Sequence, residues 1–264
     1  MRIALAQLTS SRSLDDNLAL VRTTLAEAGR RRADVVVFPE ATMRAFGNSL
    51  SDIAEPLDGP WAAGVREAAD AAGVVAVVGM FTPGEGGRVR NTLLVHGRGV
   101  EAHYDKIHLY DAFGFLESDT VTAGKEPVTF TVDGVTFGLA TCYDLRFPDL
   151  FTATADEGAQ IQLVPASWGA GPGKAEQWDL LVRARALDST CFVVAVGQSD
   201  PEAAGVEAKR GAPTGIGRSA VASPLGHLIE RLGSGPDTLY VDLDPAEVER
   251  ARTALPVLAN RVRL

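Results

Sequence analysis

A mixed α/β fold, formed as one domain over residues 1–264, is what the sequence predicts, on three observations. Short apolar runs of strand length alternate with longer segments of helical period through the first half of the chain. Strand-like runs continue through the second half with helical patterns between them, the interleaving expected when helices cover a sheet. No Pro/Gly/Ser-rich linker divides the chain, and a hydrophobic content of 46% is ample for a large core.

Taken in order, Ile3 to Leu8 reads as a first strand, Leu14 to Arg31 as a helix, and Asp34 to Phe38 as a second strand. The helix carries Leu14, Leu18, Val21, Leu25 and Ala28 on one stripe, and Ser13 with Asp16 three residues on suits a capping box at its start. Further strands are expected at Val74 to Met80, Asn91 to His96, Val128 to Val132, Val135 to Thr141, Ile161 to Pro165 and Phe192 to Val196. A helix over Ala175 to Asp188 places Trp178, Leu181, Val182 and Ala186 on one side, with Arg183 and Arg185 on another. Strands near Ser219 to Ala222, His227 to Arg231 and Thr238 to Val241 complete the pattern, and Asp200 to Gly217 reads as a long surface loop.

A net charge of -9 opposes attraction to phosphate backbones and anionic membranes, so nucleic acid and membrane are not expected partners. The most continuous apolar run, Val74 to Phe81, spans about half of the ~18 residues a membrane helix requires. Two cysteines, Cys142 and Cys191, are too few for a disulfide framework and suit a reducing, cytoplasmic compartment.

Three segments place a reactive or charged side chain beside a strand-like run, where α/β proteins build their sites. Cys142 ends the run Val135 to Thr141 and precedes Tyr143 to Phe147, with Pro148 suited to a helix's first turn, so it sits on a strand-to-helix elbow. A thiol becomes a useful nucleophile when a neighbouring base or positive charge assists it. Glu40 is delivered by the end of Val35 to Phe38, where partial desolvation suits a general base. Lys106, between Asp105 and Ile107, could hold a fixed ammonium against a thiolate or an oxyanion.

The ordered motifs Phe38-Pro39-Glu40, Tyr104-Asp105-Lys106-Ile107-His108-Leu109 and Cys142-Tyr143-Asp144-Leu145-Arg146-Phe147-Pro148 resemble those of the nitrilase superfamily of carbon-nitrogen hydrolases. The resemblance extends over Phe115 to Ser118, Pro165 to Trp168, Arg183 to Ala186 and Ser223 to Gly226. It implies a four-layer αββα sandwich, a homodimer or larger homo-oligomer, and catalytic roles for Glu40, Lys106, Cys142 and Glu117. It also implies acyl transfer through a cysteine thioester, with Lys106 and the Tyr143 backbone N–H on the oxyanion and no metal or organic cofactor. Tyr-Asp after the nucleophile resembles the omega-amidases and deaminated-glutathione amidases, which implies hydrolysis of a small linear amide to carboxylate and ammonia. Arg44, just past Glu40, is a candidate partner for a substrate carboxylate, with Trp168 a second candidate substrate contact. Ala41 to Arg44 and Tyr110 to Gly114 depart from the amidase pattern at places that could line the pocket.

Nitrile or carbamoyl-amide hydrolysis, or ligand binding without catalysis, remain alternatives within the same fold. A metal site built from His103, Asp105, His108 and Asp111 fits no familiar spacing, and Lys106 would repel a cation there. Gly169 to Lys174 departs from a phosphate loop at both ends, since Trp168 and Ala175 occupy the defining positions. Gly215 to Ala220 mimics a dinucleotide fingerprint but leads into a strand, and Cys191 reads as core.

Overall fold

The computed structural model describes residues 1–207 and 211–262. The first half runs β1 (Arg2–Gln7), α1 (Leu14–Arg30), β2 (Val35–Val37), α2 (Pro60–Ala72), β3 (Val75–Pro83), β4 (Val89–Gly97) and β5 (Val100–Asp105). Helix α1 begins where the Ser13 hydroxyl accepts the Asp16 N–H at 3.2 Å, and Asp15 and Asp16 complement the helix dipole. Helix α2 starts on Pro60 and stops at Gly73, whose φ of 67° is costly for residues with a Cβ. Sequence reasoning missed α2, although Trp61, Val65 and Ala69 recur at helical spacing on its buried side.

A small hairpin, β6 (Asp111–Ala112) and β7 (Phe115–Leu116), separates the halves. The second half then runs β8 (Thr129–Val132), β9 (Val135–Leu139), α3 (Pro148–Asp156), β10 (Ile161–Ala166), α4 (Lys174–Ser189), β11 (Phe192–Gly197), β12 (Ala220–Ala222) and β13 (Leu228–Arg231). Strand β14 (Asp237–Asp242) returns to the first sheet, and α5 (Ala246–Ala254) and α6 (Val257–Asn260) follow it.

Two six-stranded sheets result, ordered β14-β1-β2-β3-β4-β5 and β13-β12-β11-β10-β9-β8. The period of two in each strand decides the layers. Ile3, Leu5, Val35, Val37, Val75 and Val77 pack in one core with Phe137, Leu139 and Leu163 of the second sheet. The intervening Ala4, Ala6, Val36, Ala76 and Val78 pack instead with Val21, Leu25, Trp61 and Val65 of α1 and α2. Helices α3 and α4 pack on the second sheet through Phe151, Trp178 and Val182, so the layers run helix, sheet, sheet, helix. Each fully buried Val, Leu, Ile or Phe side chain among these contributes ~1.5–3 kcal/mol, which is what fixes the register of the strands.

Two expectations need correction. Arg185, expected on the face of α4 away from Trp178, is only 7% exposed and lies on the packed side. The stretch Asp200 to Gly217 is not wholly a surface loop, since Pro213 turns inward to the pocket described below. Residues 208–210 of that stretch lie outside the described residues. No helix among the described residues is long and apolar enough to cross a membrane.

Candidate active site

In the first sheet β1, β2 and β3 are parallel, and two antiparallel pairings through β4 leave β5 running in the direction of β3. In the second sheet β9, β10 and β11 are parallel. The carboxyl ends of β2, β5, β9 and β10 lead respectively to Glu40, Lys106, Cys142 and Ser167. Four chain segments remote in sequence therefore deliver side chains to one pocket.

Glu40 follows β2 by a tight turn in which Ala41 takes a φ of 58°. The turn lies so close to β3 that a Cβ on Gly79 would come within 2.7 Å of the Pro39 carbonyl and 2.8 Å of the Ala41 nitrogen, so only glycine fits there. The Glu40 side chain is 1% exposed. Its Oε1 accepts from Lys106 Nζ at 2.9 Å and from Asn91 Nδ2 at 2.7 Å, while Oε2 accepts the Ser167 N–H at 2.8 Å.

Lys106 is the first residue beyond β5, its N–H bonded to the Asn91 carbonyl at 2.9 Å and its side chain 2% exposed. Its ammonium also reaches both oxygens of Glu117, at 3.1 and 2.8 Å. Burial alone would lower the Lys106 pKa, but Glu117 and then Glu40 outweigh it, and the net shift is well upward. The lysine is thus a fixed cation. Glu117 opens a short 3-10 turn after β7, and its Oε2 accepts the Tyr110 N–H at 2.7 Å.

Cys142 begins the 3-10 turn Cys142–Arg146 with a φ of 47°, a conformation that costs ~1–3 kcal/mol outside glycine. Asp144 offsets that strain. Fully buried, it accepts the Thr141 N–H at 2.8 Å, the Tyr104 hydroxyl at 2.7 Å and the His108 N–H at 2.9 Å, with His108 Nδ1 at 2.7 Å. The turn at Cys142 is therefore tied to β5 and to the segment just after Lys106. Burial pushes the Cys142 thiol well up, Glu40 pushes it the same way, and Lys106 only partly offsets them. Burial and Glu40 thus both favour the thiol over the thiolate at this sulfur.

The pocket, with the open space at its mouth included, spans about 440 Å³. Its floor is Glu40, Lys106, Glu117 and Cys142, and its wall includes Trp168 and Tyr143. Trp168 thus lies where the sequence put it, whereas Arg44 does not. The Arg44 guanidinium bonds Asp52 at 2.9 Å and the carbonyls of Arg12 and Ser49, and it does not line the pocket. Arg146 does line the pocket, bonds Gln177 Oε1 at 2.7 Å and places its guanidinium over the rings of Trp168 and Tyr143. Of the two departures from the amidase pattern, residues 41–44 do not line the pocket, and Tyr110 is the member of 110–114 that does.

Sequence reasoning missed Asn91, which bridges Glu40 and Glu117 at 2.7 and 3.3 Å. An amide on the same strand face as Leu93 and Val95 was the available clue. Three cations, Lys106, Arg146 and Lys174, line the pocket against two carboxylates, Glu40 and Glu117. With the thiol neutral the lining carries an excess of positive charge, which favours an anionic ligand.

Residues 2–253 match the family described as carbon-nitrogen hydrolase. Hydrolase Rv0480c of Mycobacterium tuberculosis is 54% identical over 267 residues, covering 99% of this chain and 95% of its own. The deaminated glutathione amidase of Escherichia coli O157:H7 is 33% identical over 267 residues, covering 99% of this chain and 97% of its own. A double mutant of the amidase from Nesterenkonia sp. AN1, solved in complex with acrylamide, superposes with a TM-score of 0.82 at 26% identity, covering 99% of this chain and 94% of its own.

Proposed function

The chain belongs to the carbon-nitrogen hydrolase family, and from that premise we propose that it hydrolyses a small linear amide bearing a carboxylate, such as deaminated glutathione or alpha-ketoglutaramate. The amidase reading is carried by one observation: a buried thiol shares its pocket with a carboxylate and an ammonium that are themselves hydrogen-bonded.

Glu40 takes the thiol proton as Cys142 Sγ attacks the amide carbon, so the free thiolate never has to exist in the buried site. Negative charge moves to the former carbonyl oxygen, which Lys106 and the Tyr143 N–H receive. The carbon-nitrogen bond then breaks, Glu40 passes its proton to the leaving nitrogen, and ammonia or an amine departs from a Cys142 thioester. Water attacks the thioester carbon while Glu40 takes a water proton. Collapse releases the carboxylic acid product, and the thiol regains its proton from Glu40. Glu117 keeps Lys106 charged and aimed, and Asn91 holds the two carboxylates apart.

The carboxylate on the substrate is supported by Arg146, whose guanidinium lines the pocket without a carboxylate partner among the described residues. The relative named deaminated glutathione amidase supports the same class. The test is kcat/KM for succinamate, for the neutral butyramide, in which a methyl group replaces the carboxylate, and for simple nitriles, with wild type and Arg146→Leu. Succinamate is expected to exceed butyramide by at least tenfold, and Arg146→Leu to remove most of that margin through KM. Equal turnover of the two amides, or turnover of nitriles alone, would overturn the proposal.

A further inference from the structure

The pocket holds a third cation, Lys174, that the mechanism above leaves unused. Lys174 opens α4 at the end of the glycine-rich run Gly169 to Gly173, and the Trp168 indole N–H donates to its carbonyl at 2.9 Å. Gly171 and Gly173 adopt φ of 145° and 71°, so this loop can turn the lysine back toward the pocket. The motif weighed as a phosphate loop is thus a lysine-presenting turn.

The Lys174 ammonium rests on rings. It lies 4.1 Å from the centroid of Phe113 and 5.5 Å from that of Tyr110, with the Tyr110 hydroxyl 3.5 Å away. Both rings come from the segment holding the β6–β7 hairpin, whose two-residue turn has Phe113 and Gly114 at φ of 55° and 80°. Phe113 is 83% exposed, so its ring has little packing role beyond that contact. Among the described residues Lys174 has no carboxylate partner, and the neighbouring charge is the like charge of Arg146. The two cations differ in freedom: Arg146 is held by Gln177, Trp168 and Tyr143, whereas Lys174 is a flexible stem held by weak contacts.

We infer that Lys174 is a specificity-determining residue: an arm that rests on Phe113 and Tyr110 and transfers its ammonium to the substrate carboxylate, opposite Arg146. An exposed cation–π contact is weaker than a charge-assisted hydrogen bond, so a carboxylate within reach outcompetes the rings. Phe113 is a positioning residue that holds the arm at the pocket mouth. The inference rests on the carboxylate-bearing substrate proposed above.

Steady-state kinetics of wild type, Lys174→Met, Lys174→Arg and Phe113→Leu with succinamate and butyramide test it. Lys174→Met is expected to raise the succinamate KM about tenfold or more and to lower the succinamate-to-butyramide ratio of kcat/KM alongside it; Lys174→Arg restores most of the ratio. Phe113→Leu removes the resting contact that succinamate must displace, so its succinamate KM falls ~3-fold, where a merely structural ring would raise it. If wild type prefers succinamate and Arg146→Leu abolishes the preference while Lys174→Met leaves it intact, the arm is refuted and the substrate class stands. A wild type with no such preference refutes both.

Discussion

Lys106 Nζ lies 2.8 Å from Glu117 Oε2, with both side chains shut away from solvent. The pair converts a flexible surface-type residue into a fixed positive charge at the floor of the pocket. Glu40 is the second carboxylate on the same ammonium, at 2.9 Å. Removing either acid leaves Lys106 partly uncompensated in a medium where charge is costly.

Glu117→Ala is therefore expected to lower kcat on the order of 100-fold, with a smaller change in KM, because the oxyanion partner loses its aim. The same change destabilises the fold, by ~3–5 kcal/mol if the remaining Glu40 contact contributes little. Glu117→Gln, which keeps the shape and one acceptor oxygen but not the charge, should recover part of the kcat and little of the stability. Calorimetry and steady-state kinetics separate the two effects.

The thiol's pKa is shifted upward, foremost by burial and then by Glu40. An ordinary cysteine ionises near pH ~8.5. The shifted group keeps its proton through that range, so the iodoacetamide alkylation rate of Cys142 should start to climb only at higher pH. A rate already at plateau near pH 7 would indicate a standing thiolate–lysine ion pair and contradict proton transfer concerted with attack.

Tyr104→Phe removes the donor that links β5 to Asp144 at 2.7 Å. It should cost ~1–2 kcal/mol of stability and lower kcat more than it raises KM, since the nucleophile turn loosens while the wall of the pocket stays. A change confined to KM would contradict the positioning role of Asp144.

Arg44→Leu breaks a surface ion pair with Asp52, which is 57% exposed at its side chain. Screened pairs of this kind contribute little. Its succinamate KM and melting temperature should stay near those of wild type, in contrast to Arg146→Leu.

The contrast between those two arginines shows where sequence reasoning reached its limit. Glu40 and Cys142 were legible because each lies at the end of an apolar run, and Lys106 through its motif; strand direction then brings all three to one rim. Arg44 was chosen for its closeness to Glu40 along the chain, but the turn at Ala41, with φ of 58°, carries it outward. Arg146, four residues past Cys142, is swung back to the pocket by a 3-10 turn that no hydrophobic period announces. Glu117 sits after a hairpin of two-residue strands, too short for any alternation, and rested on resemblance alone. Asn91 was hidden inside a predicted strand, since its function depends on two carboxylates brought near only by folding.

Mass spectrometry of the intact protein, quenched during turnover of succinamate, tests the central claim most directly. Wild type should carry an acyl adduct whose mass equals succinamate less ammonia, mapped to Cys142, and Cys142→Ala should carry none and release no ammonia. Ammonia release by Cys142→Ala at the wild-type rate, or an adduct mapped to another residue, would contradict thioester chemistry at this sulfur.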